Sequence, residues 1–216
     1  EKVAANKPSA VSLLKVQYRM HEDIMRFSSN WFYDGELEAA PEIRLRGILD
    51  WDTPVTWIDT SDMDFKEEFV GETFGRINKE EAHLLLKELE AYILRIGGSR
   101  ILEERIDFGL ISPYKAQVQY LRGKIKGSAT LRPYRSLITV NTVDGFQGQE
   151  RDVIFISLVR ANEEGQIGFL NDLRRMNVAI TRARMKLVIL GEAATLGHHA
   201  FYKQLLEYVK KVNGRQ

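Results

Sequence analysis

The chain has 216 residues, 44% hydrophobic and 28% charged, proportions that suit a globular protein with one sizeable core. Lys plus Arg number 31 against 30 for Asp plus Glu, so no global positive field draws the whole molecule onto a polyanion, and any nucleic-acid surface has to be local. The absence of cysteine excludes a disulfide framework and a thiolate metal site and fits a reducing, cytoplasmic setting. No apolar run reaches the roughly 18 residues a membrane helix needs, so no membrane partner is expected. The opening EKVAANKPSA has neither an initiator Met nor a signal-peptide pattern, and Glu1 reads as a cut end.

Taken in chain order, Met20, Ile24, Phe27 and Trp31 fall at spacings of four, three and four, the stripe of a helix lying on a core. Pro41 and Gly47 lie in a loop-like stretch. Val55 to Asp59 reads as a strand, and Ser61 to Arg76, rich in Asp, Glu and Gly, as a mobile surface loop. A helix restarts after Asn78, a capping residue with Glu81 three positions on. Its buried face is Ala82, Leu85, Leu86, Leu89, Ile93 and Ile96, and Gly97 and Gly98 end it.

Ile106 to Ser112 is a second strand, followed by a helix with Val118, Leu121 and Ile125 on one side. Leu137 to Val143 alternates as a partly covered strand does, whereas Val153 to Val159 is almost continuously apolar, as expected where both faces are buried. A helix is predicted from about Leu170 to Arg184, then a strand from Lys186 to Leu190. A last helix carries Phe201, Leu205, Leu206, Val209 and Val212 in register. Strands alternating with helices predict an α/β fold with a mostly parallel sheet covered on both faces, in one domain over residues 1–216.

Three segments place polar residues at the edge of apolar elements: QYRM at 17–20, VDGFQGQE at 143–150 and NVAITRAR at 177–184. Arg19 and Arg182 offer planar, permanently charged forks suited to phosphate oxygens. Gln17 can bond a ligand or cap the next helix, and Tyr18 can stack on a base or pack as a half-buried tyrosine. In VDGFQGQE, Gly145 and Gly148 let the backbone turn tightly, and Gln147 and Glu150 project an amide and a carboxylate from that turn. Ser112, Pro113 and Tyr114 end a strand and begin a helix, where free N–H groups suit a phosphate and simple capping by Ser112 explains the same residues. On a continuous helix Arg184 would face about 200° away from Arg182, while Arg175 would share the face of Arg182, to support the site or to hold a carboxylate. His198 and His199 lack metal-ligand spacing and mark a helix start, and Asp59, Asp62 and Asp64 lack the full calcium-loop pattern, so no metal ligands are assigned.

These motifs, with SNWFYDGEL at 29–37, ISPYKAQ at 111–117 and GFLNDLRRMNVAITRAR at 168–184, resemble the superfamily 1 helicases. The similarity is to the group that includes the nonsense-mediated-decay RNA helicase and its bacterial relatives, and it runs through nearly the whole chain. It implies the second, C-terminal RecA-like motor domain, a three-layer sandwich, of an ATP-dependent DNA or RNA helicase or translocase. Arg19 and Arg182 would then reach the γ-phosphate of ATP, Tyr18 would lie against adenine, and Gln17, Gly148 and Glu150 would lie near the nucleotide. Ser112, Pro113, Tyr114, Asn141 and Thr142 would grip single-stranded DNA or RNA, with movement from 5′ to 3′. One departure stands out: the family usually has a proline after the histidine matching His21, where this chain has Glu22.

ATP hydrolysis by this machinery needs a glycine-rich loop ending in Lys and Ser or Thr, and an acidic pair for Mg²⁺. Gly123–Lys124 lacks both the earlier glycine and the following hydroxyl. The resemblance therefore implies that a first RecA-like domain of the same polypeptide supplies those groups and the metal, and that this chain alone is inactive. The alternative is a non-catalytic RecA-like module that docks nucleic acid or protein.

Overall fold

The computed structural model describes residues 14–71 and 75–214. In chain order its elements are β1 (Val16–Gln17), α1 (Glu22–Phe32), β2 (Glu38–Ala39), β3 (Val55–Asp59), β4 (Glu68–Val70), β5 (Gly75–Ile77), α2 (Lys79–Ile96), α3 (Gly98–Glu104), β6 (Phe108–Ser112), α4 (Lys115–Gly127), β7 (Ile138–Thr142), β8 (Arg151–Ser157), α5 (Leu173–Ile180), β9 (Ala183–Gly191), α6 (Ala193–Leu196) and α7 (Ala200–Asn213).

The continuous apolar run of β8 reflects its central place in a five-stranded sheet of order β3-β9-β8-β6-β7, parallel at every pairing. Successive side chains of a strand point to opposite faces. Ile154 and Ile156 enter one core with Ile24, Phe27 and Phe201, while Val153 and Phe155 enter the other with Leu85, Leu89, Val118 and Leu121. Helices α1, α5 and α7 thus cover one face and α2 and α4 the other, the three layers that a RecA-like domain requires. No helix among the described residues is long and apolar enough to cross a membrane.

Three departures from expectation bear on the site and its surroundings. The loop 61–76 contains an antiparallel hairpin, β4–β5, pinned by an ion pair of 2.7 Å between Arg76 Nη1 and Glu67 Oε1. Gly97, with φ 92°, ends α2 but leads straight into the unforeseen α3. The predicted helix over 170–184 is correct only for Leu173–Ile180. Thr181 turns its hydroxyl back to the Asn177 carbonyl at 2.8 Å, and the chain then enters β9, where pairing with β8 and β3 on both sides outweighs local helical periodicity.

At Asn78 the expected cap is present, its side chain accepting the Glu81 N–H at 2.9 Å. The Glu81 carboxylate goes elsewhere: Oε1 accepts from Ser157 Oγ at 2.6 Å and from the Val159 N–H at 2.9 Å. Val159 has φ 71°, an uncommon conformation for a β-branched residue. Asn78 Nδ2 also donates to its carbonyl, so buried polar groups hold the strained backbone from both sides.

His21 explains how α1 starts without the family's proline. Its side chain is buried, and Nδ1 accepts the Asp23 N–H at 3.1 Å, capping the helix. Burial depresses its pKa below the usual 6.5, with Asp23, Glu22 and Arg26 acting as smaller influences. A depressed pKa means that the stabilisation is present above 6.5 and lost as pH falls through the lower folded value. His21→Ala should cost about 1 kcal/mol at pH 8, as a lost cap does, and less at acidic pH. Urea unfolding at the two pH values checks this, and an equal cost at both would contradict it.

Candidate functional site

Two groups of polar residues lie at opposite ends of the sheet. Glu150, Arg151, Arg182 and Arg184 stand at the amino ends of β8 and β9, and Ser112 and Thr142 at the carboxyl ends of β6 and β7. Seven residues of β8 separate the ends, roughly 20 Å at the usual strand rise.

At the amino end, Gln17 folds the QYRM turn. Its Oε1 accepts the N–H groups of Arg19 and Met20, both at 2.8 Å, and its Nε2 donates to the Met20 carbonyl. The amide is therefore engaged in shaping the loop, and it caps no helix. Tyr18 is 67% exposed, which removes the reading of it as a packed tyrosine and leaves its ring free-standing beside Arg19. Arg19 pairs through Nε with Glu150 Oε2 and donates from Nη1 to the Thr181 carbonyl at 3.2 Å. Glu150 takes Arg184 on its other oxygen at 3.0 Å, and Arg184 also reaches Asp152 at 3.1 Å. The two arginines hold the Glu150 carboxyl below its usual pKa against the opposing effect of partial burial.

Arg184 consequently does not face away from this cluster. The helical argument fails because Arg184 belongs to β9, one strand period beyond Arg182. Arg182 donates from Nε to the Val178 carbonyl at 3.0 Å and from Nη1 to the Gln149 carbonyl at 3.1 Å. It makes no carboxylate ion pair among the described residues, and burial, then the neighbouring Arg19 charge, lowers its pKa. The guanidinium stays protonated regardless. A positioned cation with no counter-carboxylate is a ready partner for a phosphate oxygen. Gly148, with φ 79°, supplies the turn that brings Gln149 and Glu150 to these arginines. Arg175 lies elsewhere, paired with Asp144 at 3.3 Å and Asp172 at 3.5 Å: it holds carboxylates.

At the carboxyl end, the Ser112 hydroxyl is fully buried and accepts the Tyr114 N–H at 3.4 Å, so it shapes the turn and presents nothing to the surface. Tyr114 is buried too, leaving half-buried Pro113 and the backbone at the start of α4. Asn141 and Thr142 pin the following turn: Asn141 Nδ2 donates to the Gly145 carbonyl at 3.2 Å and Thr142 Oγ1 accepts the Gly145 N–H at 3.3 Å. Residues 143–150 then cross the sheet from the end of β7 to the start of β8. Phe146 is fully buried on the way, against Gly109, where a Cβ would lie 2.9 Å from its ring.

Sequence reasoning missed a second buried ionic group beside Tyr114. Arg160, just past β8, pairs with Glu67 Oε2 at 2.7 Å, and the other Glu67 oxygen holds Arg76. The available signal was an arginine directly after a fully buried strand, a position that requires a partner. His199 caps α7 by accepting the Phe201 N–H, as its place at a helix start suggested.

Residues 1–194 match the AAA domain family. The chain is 36% identical over 208 residues to the probable helicase MAGATAMA 3 of Arabidopsis thaliana, covering 94% of this chain and 25% of that protein. It is 37% identical over 204 residues to the regulator of nonsense transcripts 1 homolog of Drosophila melanogaster, covering 91% of this chain and 16% of the relative. The uncharacterized ATP-dependent helicase MJ0104 of Methanocaldococcus jannaschii is 33% identical over 227 residues, covering 98% of this chain and 31% of that one. The chain belongs to this AAA family, as a C-terminal RecA-like domain of the superfamily 1 helicases. It spans less than a third of the length of each of these relatives.

Proposed function

We propose that this domain forms one lip of an ATP cleft in an ATP-dependent helicase or translocase, which moves 5′ to 3′ along single-stranded DNA or RNA in the cytoplasm. Arg19 and Arg182 face the γ-phosphate, Tyr18 faces the adenine, and Gly148 and Glu150 shape the adjoining wall. A first RecA-like domain of the same polypeptide supplies the glycine-rich loop and the carboxylates that hold Mg²⁺, groups absent from this sequence. Mg²⁺ supplies charge neutralisation at the phosphates.

The observation that carries this reading is the convergence of Arg19 and Arg184 on Glu150, with Arg182 beside them held by carbonyls and no carboxylate. Glu150 neutralises Arg19 and Arg184. An incoming phosphate competes for Arg19 and finds Arg182 in place, so positive charge is organised where the γ-phosphoryl leaves. The matched relatives include proteins named as helicases, which disfavours the non-catalytic alternative. The strand lies at the other end of the sheet, along Pro113, the backbone of Ser112 and Tyr114, and the turn that Asn141 and Thr142 hold.

Phosphate release with and without single strands tests the reading. The full-length protein should hydrolyse ATP faster when single strands are added, and the 216-residue chain alone should not turn over. Its weak strand binding should fall as salt rises, since counterion release drives contacts to the phosphate backbone. Turnover by the chain alone that vanishes in Arg182→Ala would refute the division of labour between two domains.

A further inference from the structure

Beside the Ser112–Tyr114 turn, an open cavity of about 340 Å³ is lined by Arg76, Tyr114, Arg160, Gln166, Gly168 and Phe169. Its floor is rigid. Arg160 is 97% removed from solvent, fixed by Glu67 on one side and by the strained Val159 backbone before it. Gly168, with φ 55°, lets the chain pass so close that a Cβ there would sit 2.3 Å from Arg160 Nη1 and 3.1 Å from the Tyr114 hydroxyl. That hydroxyl is buried, held beside the Arg160 guanidinium and the Phe169 backbone.

The walls are aromatic and cationic. Phe169 is 53% exposed, with its ring centroid 5.6 Å from that of Tyr114. Arg76 lies across from it, its guanidinium stacked 3.9 Å over the Phe69 ring and oriented by Glu67. Phe169 also lines a neighbouring cavity shared with Pro113 and Thr142, so the ring stands at the junction between this pocket and the proposed strand path.

Resting on that proposed strand path, we infer that this cavity takes one nucleobase of the bound single strand, stacked on the face of Phe169 with its polar edge toward Arg76 and Gln166. A flat π-system bounded by an aromatic ring and an oriented guanidinium fits any base, so the pocket adds affinity without sequence preference. The strand is then held by base stacking as well as by its backbone.

The test is fluorescence anisotropy on the full-length protein, using an oligodeoxythymidylate and an oligomer of equal length carrying abasic sugars. The unaltered protein should prefer the base-bearing strand. Phe169→Ala should weaken binding of that strand about tenfold, leave the abasic strand unaffected and erase the preference, while Phe169→Trp keeps it. Because Phe169 is half exposed, thermal unfolding of Phe169→Ala should stay close to that of the parent. The inference is overturned if Phe169→Ala binds both strands as the parent does, or loses both in parallel. A parent that binds both strands equally overturns the base pocket and leaves the strand path standing; one that binds neither overturns both.

Discussion

Arg182→Ala in the full-length protein is expected to lower ATP turnover by about 10³-fold, roughly 4 kcal/mol of barrier, while nucleotide binding changes far less. On the proposed reading, ground-state ATP would be held mainly by the phosphate loop and metal of the other domain, whereas Arg182 would act on charge that develops as the γ-phosphoryl loosens. Arg19→Ala should behave alike, with a further effect from releasing Glu150. Arg184→Ala should cause a smaller but clear fall, because Arg184 positions Glu150 through a 3.0 Å ion pair and keeps its own hold on Asp152. Steady-state hydrolysis beside equilibrium binding of a labelled nucleotide separates these cases. If Arg182→Ala loses binding and turnover in proportion, the residue serves ground-state affinity and the transition-state role is wrong.

The second large effect is on folding. Burial raises the Glu81 pKa from the ordinary 4.5 to about 7, against the opposing hydrogen bonds from Ser157 and the Val159 N–H and with a small push from Glu192. A raised pKa means that the full contribution to stability is present below 4.5 and is lost as pH rises through about 7. The difference amounts to about 3 kcal/mol at pH 8. Glu81→Gln keeps an acceptor for Ser157 and Val159 but cannot ionise. The variant should therefore unfold at higher urea than the parent at pH 8, and the gap should close toward pH 5. The trend from His21 runs the opposite way below 6.5 and is common to both proteins. Equal urea midpoints at pH 8 would show that Glu81 ionises without penalty.

Much of the fold was legible because burial writes period and composition into the chain. The strand Val55–Asp59 and the helix from Lys79 to Ile96 emerged within a residue or two, each bounded by a cap or a change of pattern. The passage from α5 to β9 was not legible. The NVAITRAR segment continues a helical stripe, and what stops it is pairing with strands far away in sequence. That single misplacement turned Arg184 the wrong way. At the candidate site, Arg19, Arg182 and Glu150 were readable as charged groups in motifs, but their convergence was not, since Arg19 and Glu150 lie 131 positions apart. For Ser112 the local pattern left a strand contact and a local cap open, and the fold spends the hydroxyl on its own turn. Arg160 and Phe169 carried no recognisable pattern by themselves; only the fold brings them to one cavity.

The segment from Thr142 to Arg151 has to travel roughly 20 Å along the strands and about 10 Å sideways over β6, since β7 and β8 are not neighbours. Its fully extended reach is only about 30 Å, and the turn at Asp144–Phe146 consumes part of that. Such a tether has almost no slack, and Phe146 nails its middle to the sheet. If the proposed roles hold, a pull on Glu150 from a bound nucleotide would not be absorbed by a bend along the way and would arrive at Thr142, on the proposed strand side. The crossing is thus a short drawstring between the two ends of the sheet, and deleting a residue from it would shift one anchor or the other, where a surface loop would simply shrink.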